Sequence, residues 1–191
     1  MGDILWTIQK KSVLEIIEKD GVYYPDNKKS SFVAENPKLL DLYQKFTDVF
    51  NYNNDTECTG LIFSFLGCEN KDLVKSFWFE SYEEFRDYMK INAPGKIDAL
   101  WKKIATEDSV VVGFENDRDL DTLIIDINDF QFLMPPVIPF PPYPIDAEEE
   151  LLYYLESGGF DQSYLPSGIL QEHSPYILKD KIVGVYDVFS I

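Results

Sequence analysis

A single α+β domain with a mixed or antiparallel sheet and about four to five helices is what this 191-residue chain predicts. Three observations lead there. The length suits one hydrophobic core, because two domains of half the size would each be marginal. The composition is 45% hydrophobic with 14 Phe and 12 Tyr, which argues against disorder over most of the chain and for an aromatic-heavy core. Segments patterned for strand and for helix follow one another without regular βαβ alternation.

The elements follow in order. Leu5-Trp6-Thr7-Ile8 is a short β-prone run. Val13, Leu14, Ile16 and Ile17 come next at helical spacing, with Ser12 as a candidate cap and Gly21 as the stop. Tyr23-Tyr24 closes on Pro25, and the polar stretch from Asp26 to Ser31 predicts a loop. Beyond Pro37, residues Leu39, Leu42, Tyr43, Phe46, Val49 and Phe50 define one broad apolar helical face, which the polar run from Asn51 to Thr59 interrupts. Leu61 to Leu66 predicts a buried strand bounded by Gly60 and Gly67, and a further strand follows around Ser76 to Phe79. Ser81-x-x-Glu84 is a capping box, in which each side chain satisfies a backbone donor at the helix start, and Tyr82, Phe85, Tyr88 and Met89 form the face of that helix. After Pro94, residues Ile97, Leu100, Trp101 and Ile104 predict a short helix to Ala105. Val110 to Phe114 and Thr122 to Ile127 predict two strands joined by the acidic turn Glu115 to Asp121.

Residues 134–144 hold six prolines and admit neither helix nor central strand. They predict an extended arm within the single 1–191 domain, packed on it by the interspersed Val137, Ile138, Phe140 and Tyr143. Asp146 caps a predicted helix whose first turn carries Glu148, Glu149 and Glu150, where the helix dipole favours anions, and Gly158 closes it. Ser174 to Leu178 and Ile182 to Phe189 complete the sheet.

Charge is distributed unevenly. Of the net −17, residues 1–103 contribute 14 basic and 17 acidic side chains, whereas residues 104–191 carry only Arg118, Lys179 and Lys181 against 17 acids. Such a field repels nucleic acid and anionic lipid and attracts basic protein surfaces with fast, salt-sensitive association. Direct nucleic-acid binding is therefore not expected. A membrane span is not expected either, because runs such as Leu61 to Leu66 fall far short of about 20 apolar residues. Asp3 and the Lys10-Lys11 pair leave no secretory signal pattern at the start, and Cys58 and Cys68, separated by nine residues, match no metal spacing. Core or free thiols and a cytoplasmic location are the expectation.

Few residues form a set able to carry chemistry. Asp117-x-Asp119-x-Asp121 has the opening carboxylates of a calcium loop, but Thr122 stands at the glycine position and Asn128 at that of the closing glutamate, so no metal is expected. A single histidine, His173, excludes multi-histidine metal sites, and neither a Gly-x-Ser-x-Gly elbow nor a phosphate loop is present. What remains is Leu170 to Ile177, where Glu172 stands between Gln171 and His173. That stretch reads either as a solvated turn or as a carboxylate held for acid–base or electrostatic work.

Leu5-Trp6-Thr7-Ile8-Gln9, the helix after it and the Gly21-Val22-Tyr23 turn resemble the start of an uncharacterised bacterial family carrying the domain-of-unknown-function label 3841. The closing stretch from Gln171 through Ile177 to Phe189 is similar to that family's end. A wider similarity is to the ADP-ribosyltransferase superfamily, in which a catalytic glutamate precedes a late strand. By position that resemblance implies Glu172 as the residue contacting the nicotinamide ribose of NAD, with Thr7 or Gln9 at the first-strand position where the superfamily usually has Arg or His.

Two functions are carried forward. The first is an acidic interaction module, of the kind an immunity protein or phage-encoded inhibitor is, that masks a basic surface of a partner. Its contact residues are Glu115, Asp117, Asp119, Asp121, Glu148 and Glu149 for charge and Tyr143, Tyr153, Tyr154 and Phe160 as aromatic anchors. The second is an NAD-using enzyme of the ADP-ribosyltransferase type acting through Glu172.

Overall fold

The computed structural model describes residues 3–37, 39–70, 75–93, 97–126 and 169–191. The proline-rich segment 134–144, the Asp146 helix and the candidate contacts Tyr143, Glu148, Glu149, Tyr153, Tyr154 and Phe160 lie outside the described residues.

The α+β class holds, with five α-helices among the described residues and a sheet whose described pairings are all antiparallel. The elements are β1 (Ile4–Lys10), α1 (Lys11–Asp20), β2 (Val22–Tyr23), α2 (Ser31–Glu35), α3 (Leu39–Asn54), β3 (Ile62–Asn70), β4 (Lys75–Trp78), α4 (Tyr82–Asn92), α5 (Asp98–Ile104), β5 (Ser109–Glu115), β6 (Leu123–Asp126), β7 (Ile169–Ser174), β8 (Ile177–Leu178) and β9 (Ile182–Asp187). The main sheet runs β6-β7-β3-β1-β5-β9, with β4 also paired to β3, and β2 pairs β8 in a separate ribbon.

Alternation along the strands divides the core by face. Trp6, Phe65, Val111 and Ile169 pack with Phe85 and Met89 of α4 and Leu100 and Trp101 of α5. Phe63 and Leu123 meet Phe46 and Phe50 of α3. On the opposite face, Leu5, Ile62, Phe114 and Leu170 cover Val13 and Ile17 of α1 and Ile177 of β8. Cys58 is half-buried and Cys68 buried, both as free thiols. Among the described residues, no helix is long and apolar enough to cross a membrane.

Several local features differ from the sequence pattern. Ser12 does not cap α1: Lys10 occupies the cap position without a side-chain bond, and the Lys11 amide donates to the Asp108 carbonyl at 2.8 Å, so the helix leaves the strand directly. Its end is as expected, with Gly21 at φ 77° in the left-handed region. The stretch from Asp26 to Ser31 is not all loop, because Asn27–Lys29 makes one 3-10 turn and Ser31 opens α2. Helix α3 outlasts its apolar stripe and runs through Asn54, whose Nδ2 donates to the Phe50 carbonyl.

Strand β3 does not stop at Gly67 either. It passes through with a register shift between Phe65 and Gly67, and a Cβ at Gly67 would lie 2.2 Å from the Phe77 carbonyl oxygen, so glycine admits the β4 backbone there. In the predicted capping box, Ser81 Oγ accepts from the Glu84 amide at 3.2 Å, but Glu84 Oε2 reaches back to the Glu80 amide rather than to that of Ser81.

Candidate functional site

The largest departure from the sequence pattern builds the site. Strands β5 and β6 are joined by the acidic segment but are not neighbours: β5 ends at Glu115 beside Ile4, and β6 begins at Leu123 beside His173, with β1, β3 and β7 between them. Residues 116–122 therefore cross the sheet, and side chains from distant parts of the chain pin them down. Asn116 Nδ2 donates to Glu172 Oε1 at 2.7 Å, and the Thr122 hydroxyl also hydrogen-bonds that carboxylate. Tyr176 Oη donates to Asp117 Oδ2 at 2.6 Å, while the Asp119 amide donates to Asp117 Oδ1 at 3.0 Å. At the far end, Asn54 accepts from the Asp121 amide at 2.7 Å and donates to its carbonyl at 3.0 Å.

Between this segment and the stretch from Ser174 to Lys181 lies a cavity of about 280 Å³. Its apolar wall is Phe114, Leu120, Pro175, Tyr176 and Leu178. Its polar lining comes from Glu115, Asn116, Asp117, Arg118 and Thr122 on one side and Ser174 and Lys181 on the other. The cations here have carboxylate neighbours: Lys181 Nζ stands 3.8 Å from Glu115, and Arg118 reaches Asp3 at 4.0 Å. Asp117 has no cation within ion-pair distance among the described residues, and the Tyr176 hydroxyl, the Asp119 amide and, last, the nearby Lys181 charge hold its carboxyl below the usual carboxylate range. Two buried polar atoms of lining residues, Asn116 Oδ1 and Ser174 Oγ, have no hydrogen-bond partner among the described residues.

The expected site residues separate into three groups. Glu115, Asp117, Asp119 and Asp121 all stand on or beside the crossing segment. Glu115 and Asp117 are half-buried ties within the fold, whereas Asp119 and Asp121 are exposed and unpaired with any cation among the described residues. Tyr24, 64% exposed, packs edge-on against Tyr176 at 6.0 Å, so tyrosines and carboxylates form one continuous rim.

Glu172 is not on a solvated turn. It sits on β7 with 1% of its surface exposed, directly behind Asn116 and the cavity wall, and burial pushes its carboxyl up against the opposing pull of the Thr122 and Asn116 hydrogen bonds. Thr7 and Gln9 do not join it. Strand β3 separates β1 from β7, Thr7 Oγ1 donates to the Phe63 carbonyl at 3.0 Å, and Gln9 Nε2 donates to Thr7. His173, the next residue along β7, faces away from Glu172 and lies between Phe46 and Phe63.

Because the folded-state pKa of Glu172 is raised, the native protein binds its proton more tightly than the unfolded chain does. This contribution to stability therefore falls as pH rises above about 4.5, the unfolded value. Glu172→Gln is expected to flatten that part of the profile and to leave stability at pH 7 unchanged or higher, which urea denaturation at several pH values would read. A variant that keeps the wild-type profile would show that the carboxyl is ionised in the fold without cost.

Asn116, Ser174, Tyr176 and Lys181 were not singled out by the sequence as site residues. One signal was present: Arg118 and Lys181 are two of only three bases in residues 104–191, and both reach the same cavity. No family model, no curated protein and no solved structure matches this chain.

Proposed function

We propose that this protein is an interaction module that covers a basic surface of a partner protein, in the manner of an immunity protein or an inhibitor of a nucleic-acid-binding enzyme. One observation carries the reading: Tyr24, Tyr176, Asp117 and Asp119 form an unbroken aromatic–carboxylate rim, with Asp121 two residues on and no cation among the described residues neutralising Asp119 or Asp121. Aromatic side chains supply buried contact area at an interface, and carboxylates on an acidic half-chain supply steering. The excess of 17 acids over three bases in residues 104–191 extends the attracting field beyond the rim.

The test is a matched pair of baits, wild type and Asp119→Lys/Asp121→Lys, presented to host lysate at low ionic strength. The expected result is a basic protein held by the wild type, released as salt shortens the screening length below about 8 Å, and bound at least tenfold more slowly by the variant, an order-of-magnitude expectation. Recovery of the same proteins by both baits, or retention insensitive to salt, would sink the reading.

The buried carboxyl favours a second reading, an NAD-using transferase acting through Glu172. In its support, Glu172 is hydrogen-bonded to two side chains that line the cavity, Asn116 and Thr122, and its carboxyl is raised. Against it, both the Asn116 amide and the Thr122 hydroxyl already occupy that carboxylate. The cavity also falls below the roughly 300–1,000 Å³ of small-molecule sites, and a dinucleotide is a large ligand. Turnover of NAD that disappears in Glu172→Gln with the fold retained would favour it over the interaction reading.

A further inference from the structure

We infer that Glu172 is the positioning residue of the partner-facing rim: one buried carboxylate holds both ends of the crossing segment 116–122 and so fixes how Asp117, Asp119 and Asp121 are presented. This rests on the interaction reading above and names what shapes that surface.

The sheet around Glu172 does not answer its charge. Its register partners are Ser64 on β3 and Ile124 on β6. Ile124 has no polar side-chain atom, and Ser64 Oγ is buried with no hydrogen-bond partner among the described residues. The hydrogen bonds that described residues give the carboxylate come instead from Asn116 and Thr122, the first and last residues of the crossing segment. A carboxyl 1% exposed in the middle of a strand is a cost to the fold, and a well-packed apolar residue of similar size is commonly as stable or more so. The charge therefore serves the segment rather than the sheet.

Strands β5 and β6 fix Glu115 and Leu123, and Glu172 carries that order one residue further in at each end. Only residues 117–121 are left to span the gap. Their remaining ties are local or come from the surface: Tyr176 and the Asp119 amide on Asp117, the Leu120 amide on the Asp117 carbonyl at 3.3 Å, and Asn54 on the Asp121 backbone. A rim ordered before contact loses less conformational freedom on binding, which is where Glu172 contributes to affinity without touching the partner.

The test compares the full-length wild type with Glu172→Gln, Glu172→Leu and Thr122→Val. Glutamine keeps both ties, because its Oε1 accepts from the Asn116 amide and its Nε2 donates to the Thr122 oxygen. Leucine keeps neither, and valine at position 122 releases one end with little change of shape. Amide hydrogen exchange read by NMR is expected to be about tenfold faster at Asp119, Leu120 and Asp121 in Glu172→Leu, intermediate in Thr122→Val and unchanged in Glu172→Gln, with the amides of β3 protected throughout. With host lysate at low ionic strength as the probe, Glu172→Gln should retain the basic protein that wild type holds. Glu172→Leu should lose retention by about tenfold although Asp119 and Asp121 are still present. Should Glu172→Leu fail to fold, Thr122→Val carries the same comparison with a smaller effect. Unchanged exchange in both Glu172→Leu and Thr122→Val, or loss of capture in Glu172→Gln, would overturn the inference.

The two readings fail separately. If Asp119→Lys/Asp121→Lys changes no capture, the interaction function falls whatever the exchange rates are. If charge reversal abolishes capture while Glu172→Leu binds as wild type does, the function stands and Glu172 is only a packed side chain of β7. Turnover of NAD that is lost in Glu172→Gln would mark the residue as catalytic and overturn its positioning role.

Discussion

Trp6→Leu and Gly113→Ala are each expected to destabilise the protein substantially, and to do so less than additively when combined. Trp6 is 1% exposed, donates from Nε1 to the Phe79 carbonyl at 2.8 Å, and stacks on Phe85 with ring centroids 5.7 Å apart and planes 8° from parallel. Truncating so large a buried aromatic to Ala costs about 3–5 kcal/mol, a large fraction of the stability of an ordinary domain, so the leucine variant is the practical one. Gly113 is the direct register partner of Trp6 on β5, and a Cβ there would lie 2.6 Å from Trp6 Cζ3. The indole cannot tilt away without breaking its bond to Phe79 or its stack on Phe85, so the added methyl should cost about 1–3 kcal/mol through overpacking. With leucine at position 6 the space above Gly113 opens, and the same methyl becomes neutral or stabilising. Urea denaturation of the four proteins should return a coupling energy of at least about 1 kcal/mol. Additive penalties would mean that the indole does not occupy the space above the glycine.

That pair also shows where the sequence was legible. Leu5-Trp6-Thr7-Ile8 and the α3 stripe from Leu39 to Phe50 read correctly because one strong pattern governs each. Strand β7 did not, because Gln171-Glu172-His173-Ser174 is polar and yet buried. Its polarity is answered by Asn116, Thr122 and the Leu123 carbonyl, about 50 residues away in sequence, and no local window contains those partners. The crossing segment was obscured in a different way. Seven residues between two strands resemble a hairpin loop, and only the pairing of β5 with β1 and β9, and of β6 with β7, reveals a traverse of the sheet. The cavity follows from that traverse and draws on three separated stretches, so its acidic members could be singled out beforehand but not its shape. Tyr143, Glu148, Glu149, Tyr153, Tyr154 and Phe160 remain expectations from the acidic half alone.

The residue most exposed to this long-range arrangement is His173, and acidification below pH 6.5 is expected to destabilise the fold chiefly through it. Its Nδ1 lies 2.8 Å from the Leu123 carbonyl, which can only accept, so the neutral ring carries its proton on Nδ1 and leaves Nε2 as a buried acceptor without a partner among the described residues. Phe46 and Phe63 enclose the ring at 5.2 and 4.7 Å, and this burial pulls the imidazole from 6.5 down to about 4. Above pH 6.5 the histidine is neutral in both folded and unfolded chains and has no pH effect. Between 6.5 and about 4 the unfolded chain takes up a proton that the native protein refuses, so stability falls with falling pH, by about 3 kcal/mol across the window. Glu172 works in the opposite sense from about 4.5 upward, which is why the Glu172→Gln background isolates the histidine. His173→Gln retains a donor for the Leu123 carbonyl and should remove most of the slope between pH 6.5 and 5. His173 is the only histidine in the chain, so its imidazole signal can be followed without assignment, and it should stay neutral until the protein unfolds or pH nears 4. An imidazole that titrates near 6.5 in the folded protein would place the ring in water and remove β7 from the centre of the sheet.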